Sequence, residues 1–183
     1  MHPGRRREQL LDASAAYITS HGVDFSMDDI AREAGISPPL MRHYFGNRDG
    51  LLTALVKQGI EQIIAILTGP HHGDLEARLD AYLEFVRERP WAHRLWMAAA
   101  THDEALSPLV AAARMQLRRA AFGTEWDEDA LDQRFRASAW IAVVEKSVDE
   151  WLTEHGESAA VVAHRLVDVA RRLGIPHAQA GSR

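Results

Sequence analysis

Residues 26–51, SMDDIAREAGISPPLMRHYFGNRDGL, read as two short helices around a glycine corner, with a third helix starting just after. Ser26 precedes an apolar-periodic run and has Asp29 three residues on, an acidic form of the capping box that starts a helix near Met27. Ile30, Ala31 and Ala34 share one face at helical spacing. Gly35 follows, the one residue type that takes a left-handed C′ conformation without a Cβ penalty. Ser37 is the expected cap of the next helix. Pro38 stands at that helix's first position, where a missing N–H removes no intrahelical bond. The helix runs to about Tyr44, and Gly46–Asn47 breaks it. Two short helices joined by a glycine-containing turn form a helix-turn-helix, whose second helix fits a DNA major groove. Such corners also occur in helical proteins that never touch nucleic acid, so the chemistry beyond the corner matters. Arg42, His43, Tyr44 and Arg48 fall within seven residues, and all four side chains can donate to phosphate oxygens or base edges.

From about Arg6 to Leu52 the chain resembles the DNA-binding domain of the tetracycline-repressor (TetR) family of bacterial transcription regulators. The residues that carry the resemblance are Leu10 and Leu11, then Ile18 four residues before Gly22. Ile30-Ala31 and Ala34-Gly35-Ile36-Ser37 follow, and after them Phe45, Arg48 and Leu51 at successive intervals of three. The sequence departs from the family in three ways. Arg48 stands where lysine is usual, Arg42 where an aromatic is common, and the loop from Gly22 to Ile30 is one residue shorter than the commonest spacing. The resemblance implies an all-α fold with a small N-terminal reader and a larger helical domain for effector binding and dimerisation. It implies double-stranded operator DNA as partner, a homodimer, and contacts to DNA from Ser26, Ser37, Pro38, Pro39, Arg42, His43, Tyr44 and Arg48. Proline makes only apolar contacts, for example with a thymine methyl. Arg42 suits either bidentate pairing with guanine or a phosphate. His43, Tyr44 and Arg48 are assigned to phosphates, with packing as the alternative for Tyr44, and Met41 is assigned to the core.

Composition sets the outer bounds. A chain of 183 residues with 46% hydrophobic and 26% charged residues is long enough to bury a core as one or two small domains. No apolar run reaches the roughly 18 residues of a membrane span, and the arginine-bearing N-terminus lacks the apolar segment of a secretory signal. The expectation is a cytoplasmic protein without a membrane partner. With no cysteine there is neither a disulfide framework nor a thiolate zinc site, and no cofactor or metal is expected. The net charge of −5 gives a DNA reader no help, and residues 1–50 set six arginines against seven carboxylates. DNA binding must then rest on where the charges face, because only those near the backbone release counterions.

Beyond the reader the periodicity is helical throughout, without alternating runs bounded by hairpin turns. Helix 1 is expected over Arg5–Ser20 and helix 4 over about Arg48–Leu67, stopped by Gly69-Pro70. Apolar residues at 75, 79, 82, 83 and 86 mark one face of a fifth helix. Pro90 and Ser107-Pro108 start two more. A long helix is expected to open at Asp127 and run to about His155, and Ser158 caps a last one ending at Gly174. This gives about nine helices: a helix-turn-helix domain at 1–47, a ligand-binding and dimerisation domain at 48–174, and a flexible tail at 175–183. His71-His72, in the loop after helix 4, lack partners at metal-ligand spacing and are read as solvated.

In the second domain, Trp96, Met97, Met115, Trp140 and Glu145 are candidates for a mostly apolar effector pocket, with His93 and Arg94 as further polar groups. Aromatic and methionine residues at helical spacing are otherwise core. Glu145 interrupts an apolar stretch, which suits a pocket, a subunit contact, or a solvated pairing with Lys146. Val144, Val148, Trp151, Val162, Leu166 and Val169, on the last two helices, are candidates for a four-helix dimer interface. The competing class is an all-helical enzyme. Against it, the sequence has no cysteine nucleophile, HExxH, glycine-rich phosphate loop or paired-carboxylate signature. A DNA-binding regulator without a small-molecule effector, or one acting as an activator, fits the sequence as well as a ligand-released repressor does.

Overall fold

The computed structural model describes residues 3–22, 24–69, 74–102, 107–122, 125–154 and 156–176. Among these residues there are nine α-helices and no strand: α1 Pro3–His21, α2 Met27–Glu33, α3 Pro38–Phe45, α4 Arg48–Thr68, α5 Leu75–Glu88, α6 Pro90–His102, α7 Ser107–Phe122, α8 Leu131–Thr153 and α9 Ala159–Arg172. His71 and His72, and the tail from residue 177 onward, lie outside the described residues.

Local chemistry accounts for the helix ends. The Ser26 hydroxyl accepts from the Asp29 N–H at 3.1 Å, and the Asp29 carboxylate accepts from the Ser26 N–H at 3.2 Å, so the capping box at α2 is complete. Gly35, at φ 64°, turns the chain out of α2. Ser37 holds the N-cap position of α3 but makes no side-chain cap hydrogen bond, contrary to expectation. The reason is the proline pair. Pro39 removes the N–H of the second helical position, and the Leu40 N–H bonds the Ser37 carbonyl at 3.0 Å instead. Asn47 caps α4 by accepting from the Gly50 N–H at 2.8 Å.

The start of α8 also differs from the sequence expectation, falling at Leu131 rather than Asp127. The Asp127 carboxylate accepts from the Asp129 N–H at 2.9 Å, an Asx-type turn, and the chain enters the helix only at Leu131. Ile175, expected in a flexible tail, is fully buried, and its N–H reaches the Ala170 carbonyl at 3.0 Å. Its apolar side chain docks in the core and anchors the end of α9.

Two hydrophobic clusters organise the molecule. The first joins Leu10, Ile18, Phe25, Ile30, Met41 and Phe45 of the helix-turn-helix to Leu51, Leu55 and Val56 of α4, and continues into α6 and α7. The second gathers Leu79, Leu83 and Val86 of α5 with the inner faces of α8 and α9, and receives Ile63 from α4. Helix α4 is thus common to both. By length and composition it is apolar enough to cross a membrane, despite Lys57 and Glu61, which corrects the expectation of no such run. Here it packs against α1, α3, α5, α6 and α7 as a core helix.

The α3–α4 corner has no room for a side chain at Gly50. A Cβ there would collide with the Phe45 carbonyl, which is backbone and cannot swing away. Gly50→Ala is expected to cost about 1–3 kcal/mol by overpacking. Gly156→Ala, where a Cβ meets nothing within 4 Å, should stay within about 0.5 kcal/mol of the parent chain. Urea denaturation of both variants checks this.

Candidate nucleic-acid interface and interior cavity

Helix α3 buries Met41 and Phe45 and turns its other face outward. Pro39, Arg42 and His43 are exposed, Pro38 and Tyr44 are half-buried, and Ser26 and Ser37 are exposed at the adjoining helix starts. All lie on α3 or on the residue that caps α2 or α3. Tyr44 also packs against the first hydrophobic cluster. Two of the basic residues have internal partners that the sequence reading missed. Arg42 Nη2 donates to the Asp28 carboxylate at 2.6 Å, tying α3 to the first turn of α2. Arg48 Nε donates to the Phe25 carbonyl at 3.2 Å, and the guanidinium lies 4.9 Å from the Phe25 ring centre. Arg48 therefore ties the start of α4 to the segment before α2.

Away from the reader, a cavity of about 50 Å³ lies between α4, α5, α6, α7 and α8. It exceeds what a single water needs. Its wall is mainly apolar and includes Ile63, Leu75, Leu79, Trp140, Ile141 and Val144. Of the expected pocket residues, Trp96, Trp140 and Glu145 line it. Met97 and Met115 do not: Met97 packs into the first cluster, and Met115 sits half-buried elsewhere on α7. Both lie off the α6 and α7 faces that meet the cavity. Glu145 is neither solvated nor paired with Lys146. It accepts from Trp96 Nε1 at 2.8 Å and from Arg114 through Nε at 3.0 Å and Nη2 at 2.8 Å, a bidentate pair. Its side chain is only 13% exposed.

His93, expected as a ligand contact, stands behind the wall. It is buried, and its Nδ1 lies 3.2 Å from the hydroxyl of Tyr82, which itself faces the cavity. Burial pulls the His93 pKa down to about 4, against smaller opposing contributions from Asp149 and the Glu145 backbone. Burial, with help from the Glu145 charge, pushes the Tyr82 hydroxyl up. Arg94 is exposed on the far side of α6.

A helix-turn-helix reader with its third helix turned outward, built onto a helical bundle, is an architecture shared with proteins of known type. The sequence profile of "Bacterial regulatory proteins, tetR family" matches residues 10–55. The "HTH-type transcriptional regulator BetI" of Brucella anthropi is 42% identical over 64 residues, which are 34% of this chain and 32% of that protein. The protein of the same name from Vibrio parahaemolyticus is 29% identical over 119 residues, 58% of this chain and 60% of the relative. Thus the matched region spans less than two thirds of these relatives. Across nearly the whole chain, a solved "putative TetR-family transcriptional regulator" from Rhodococcus sp. is 26% identical, with a TM-score of 0.68 over 94% of this chain and 98% of that one. Another, "a TetR-like transcriptional regulator from Rhodococcus sp. RHA1", shares the fold at 24% identity and a TM-score of 0.74. Residues 10–55 are a TetR-family helix-turn-helix domain, and the chain as a whole shares the fold of solved TetR-family regulators.

The residues expected at the dimer interface are mostly interior to the protomer. Val144, Val148, Val162 and Leu166 are buried within the protomer, and Trp151 and Val169 are half-buried. They form the inner stripe of α8 and the face of α9 that packs on α5. Exposed large apolar side chains are found instead at Leu131 (70%), Phe135 (69%) and Val161 (44%). Two residues escape the sequence reading although their spacing marks them: Arg78, which lines the cavity, and Arg114, which pairs with Glu145 of its wall. Arg78 falls within the 75, 79, 82 stripe of α5 and lines the cavity beside Tyr82. Arg114 falls within the 110, 113, 117, 121 stripe of α7. A charged residue on an apolar stripe signals a buried pair or a ligand.

Two outcomes follow for stability. Glu145→Ala leaves Arg114 without its partner and Trp96 without its acceptor. It is expected to cost about 1–3 kcal/mol, and the Glu145→Ala/Arg114→Met double variant less than the two single losses together. Thermal melts over the full cycle test this. For His93 the folded pKa of about 4 lies below its ordinary 6.5, so the fold favours the neutral ring. Above pH 6.5 both states are neutral and the contribution is complete. As the pH falls from 6.5 to about 4 the unfolded chain takes up the proton first, and stability is lost. His93→Gln should flatten this part of the stability–pH curve.

Proposed function

We infer that the chain is a homodimeric, sequence-specific DNA-binding transcription repressor, released from a near-palindromic operator by a mostly apolar small molecule. The observation that carries the reading is the pairing of an outward-facing helix α3, bearing Arg42 and His43, with a mainly apolar cavity reached by the same helix α4 that supports the reader. A single short helix reads too few base pairs to be selective, so two copies are needed, with half-sites about one DNA turn or a multiple apart. The exposed apolar residues Leu131 and Phe135 of α8 and Val161 of α9 supply the surface for self-association. A ligand in the cavity acts by favouring a position of α4 in which the two recognition helices no longer match the groove spacing, and its effect is bounded by its differential affinity for the two states.

Arg42 is the residue of choice for base readout, and Asp28 is its competitor. Arg42→Ala is expected to relax preference at one base position at a cost of roughly 1–3 kcal/mol if the contact is bidentate. Asp28→Asn frees Arg42 and removes a repelling carboxylate, so operator binding should tighten several-fold and depend more steeply on salt. Genomic selection followed by binding titrations with each variant measures both. No enriched sequence, or weaker binding by Asp28→Asn, would count against the reading. Phe135→Asp should turn the dimer into a monomer in light scattering and weaken operator binding with it.

A further inference from the structure

The charges around the cavity are not balanced. Glu145 is neutralised by Arg114, and both of its oxygens are engaged. Arg78 also lines the cavity and forms no ion pair among the described residues. Its one hydrogen bond is from Nη1 to the Leu67 carbonyl at 3.0 Å, while its buried Nε has no partner. Burial pulls the Arg78 pKa down, and the charge of Asp74 acts the other way without a direct contact. Asp74 is exposed, and its carboxylate caps α5 by accepting from the Ala77 N–H at 3.0 Å.

Resting on the effector reading above, we propose that this cavity takes a short apolar carboxylate, its anionic head on the Arg78 guanidinium and its hydrocarbon body against Leu75, Leu79, Trp140, Ile141 and Val144. A carboxylate satisfies the Nε–H that the protein leaves unpaired, and the planar guanidinium edge suits two parallel hydrogen bonds. A cationic ligand would have to displace Arg114 from Glu145 before finding a partner. A neutral one would leave the Nε–H unsatisfied. At about 50 Å³ the cavity holds only a few carbons as it stands, so the chain must be short and a six-carbon body enters by displacing the side chains that line it. Because Arg78 also holds the Leu67 carbonyl in the last turn of α4, an anion that draws on this guanidinium acts directly on the end of the helix whose start carries the reader.

Hexanoate, its neutral isostere hexanamide, and hexylammonium distinguish the chemistries. Calorimetric titration of the full chain should show hexanoate binding about ten-fold or more tightly than hexanamide, with hexylammonium weakest. Indole N–H shifts of Trp96 and Trp140 would report binding at this site. Arg78→Gln should bring hexanoate down to the hexanamide level while hexanamide binding is unchanged. Arg78→Lys, which keeps the charge but not the fork, should fall between. If Arg78→Gln fails to fold, the ranking of the three probes on the parent chain still decides. Equal binding of hexanamide, or tightest binding of hexylammonium, overturns the anion proposal and leaves an effector pocket standing. Binding by none of the three at millimolar concentration overturns both.

Discussion

Helix α4 is the constraint on which the rest of the molecule depends. Its 21 residues span roughly 32 Å at about 1.5 Å per residue, and they are buried in two different cores. Leu51 and Leu55, both fully buried, lock its first half to the helix-turn-helix, each contributing on the order of 1.5–3 kcal/mol by burial. Ile63 locks its second half into the cluster made with α5, α8 and α9. Both ends are also fixed by polar contacts, Asn47 and Arg48 at the start and Arg78 near the end. A helix held this way moves as a rod. A change at one end must be taken up at the other, because packed side chains have discrete arrangements rather than a continuous range.

The same economy of contacts accounts for the carboxylates of the corner. Asp29 is used by Ser26 and by Arg32, and its carboxyl is held below the ordinary range chiefly by the Ser26 hydrogen bonds. Asp28 is used by Arg42. These carboxylates build the corner and orient its arginines, and Asp28 offsets the charge of Arg42 on the exposed side of α3. In the bundle, Arg114 and Glu145 settle each other's charge within a half-buried network with Trp96. Such a pair adds little net stability compared with apolar packing, but removing one member is costly. Its value lies in fixing the wall of the cavity.

Much of this was legible from local chemistry. The capping box at Ser26, the left-handed Gly35, the Gly46–Asn47 break and the proline-started helices are short-range signals, and the helices begin or end close to where those residues place them. Expectations failed where a local signal had a competitor. Ser37 looked like a cap, but the prolines after it leave the serine hydroxyl without a donor to accept. Asp127 looked like a helix opener, but its side chain closes a turn. Ile175 read as tail because Gly174 ends the helix, yet the apolar residue beyond the stop docks inward. The cavity was only partly legible. Trp96, Trp140 and Glu145 stood out by type, whereas Arg78 and Arg114 are ordinary residue types whose meaning comes from the stripe they interrupt. Which methionines face a cavity depends on helix rotation, which a count of large apolar side chains does not give.

Most residues expected at the interface are buried within the protomer, leaving a different stripe of the same two helices exposed. Helix α8 carries more apolar residues than one layer needs, but most of that surplus faces inward. The residues at 137, 140, 141, 144 and 148 are buried by the protomer itself, leaving Leu131 and Phe135, one turn apart, on the outside. A single exposed leucine requires no explanation. Two large side chains about 70% exposed on adjacent turns, with a third at Val161 on the next helix, form a different case. Covering them by a second copy of the same surface is the isologous arrangement a two-fold axis produces. On the proposed reading that axis would relate the two α3 helices, so that the inner stripe builds the protomer while the outer one would set the spacing at which two protomers meet DNA.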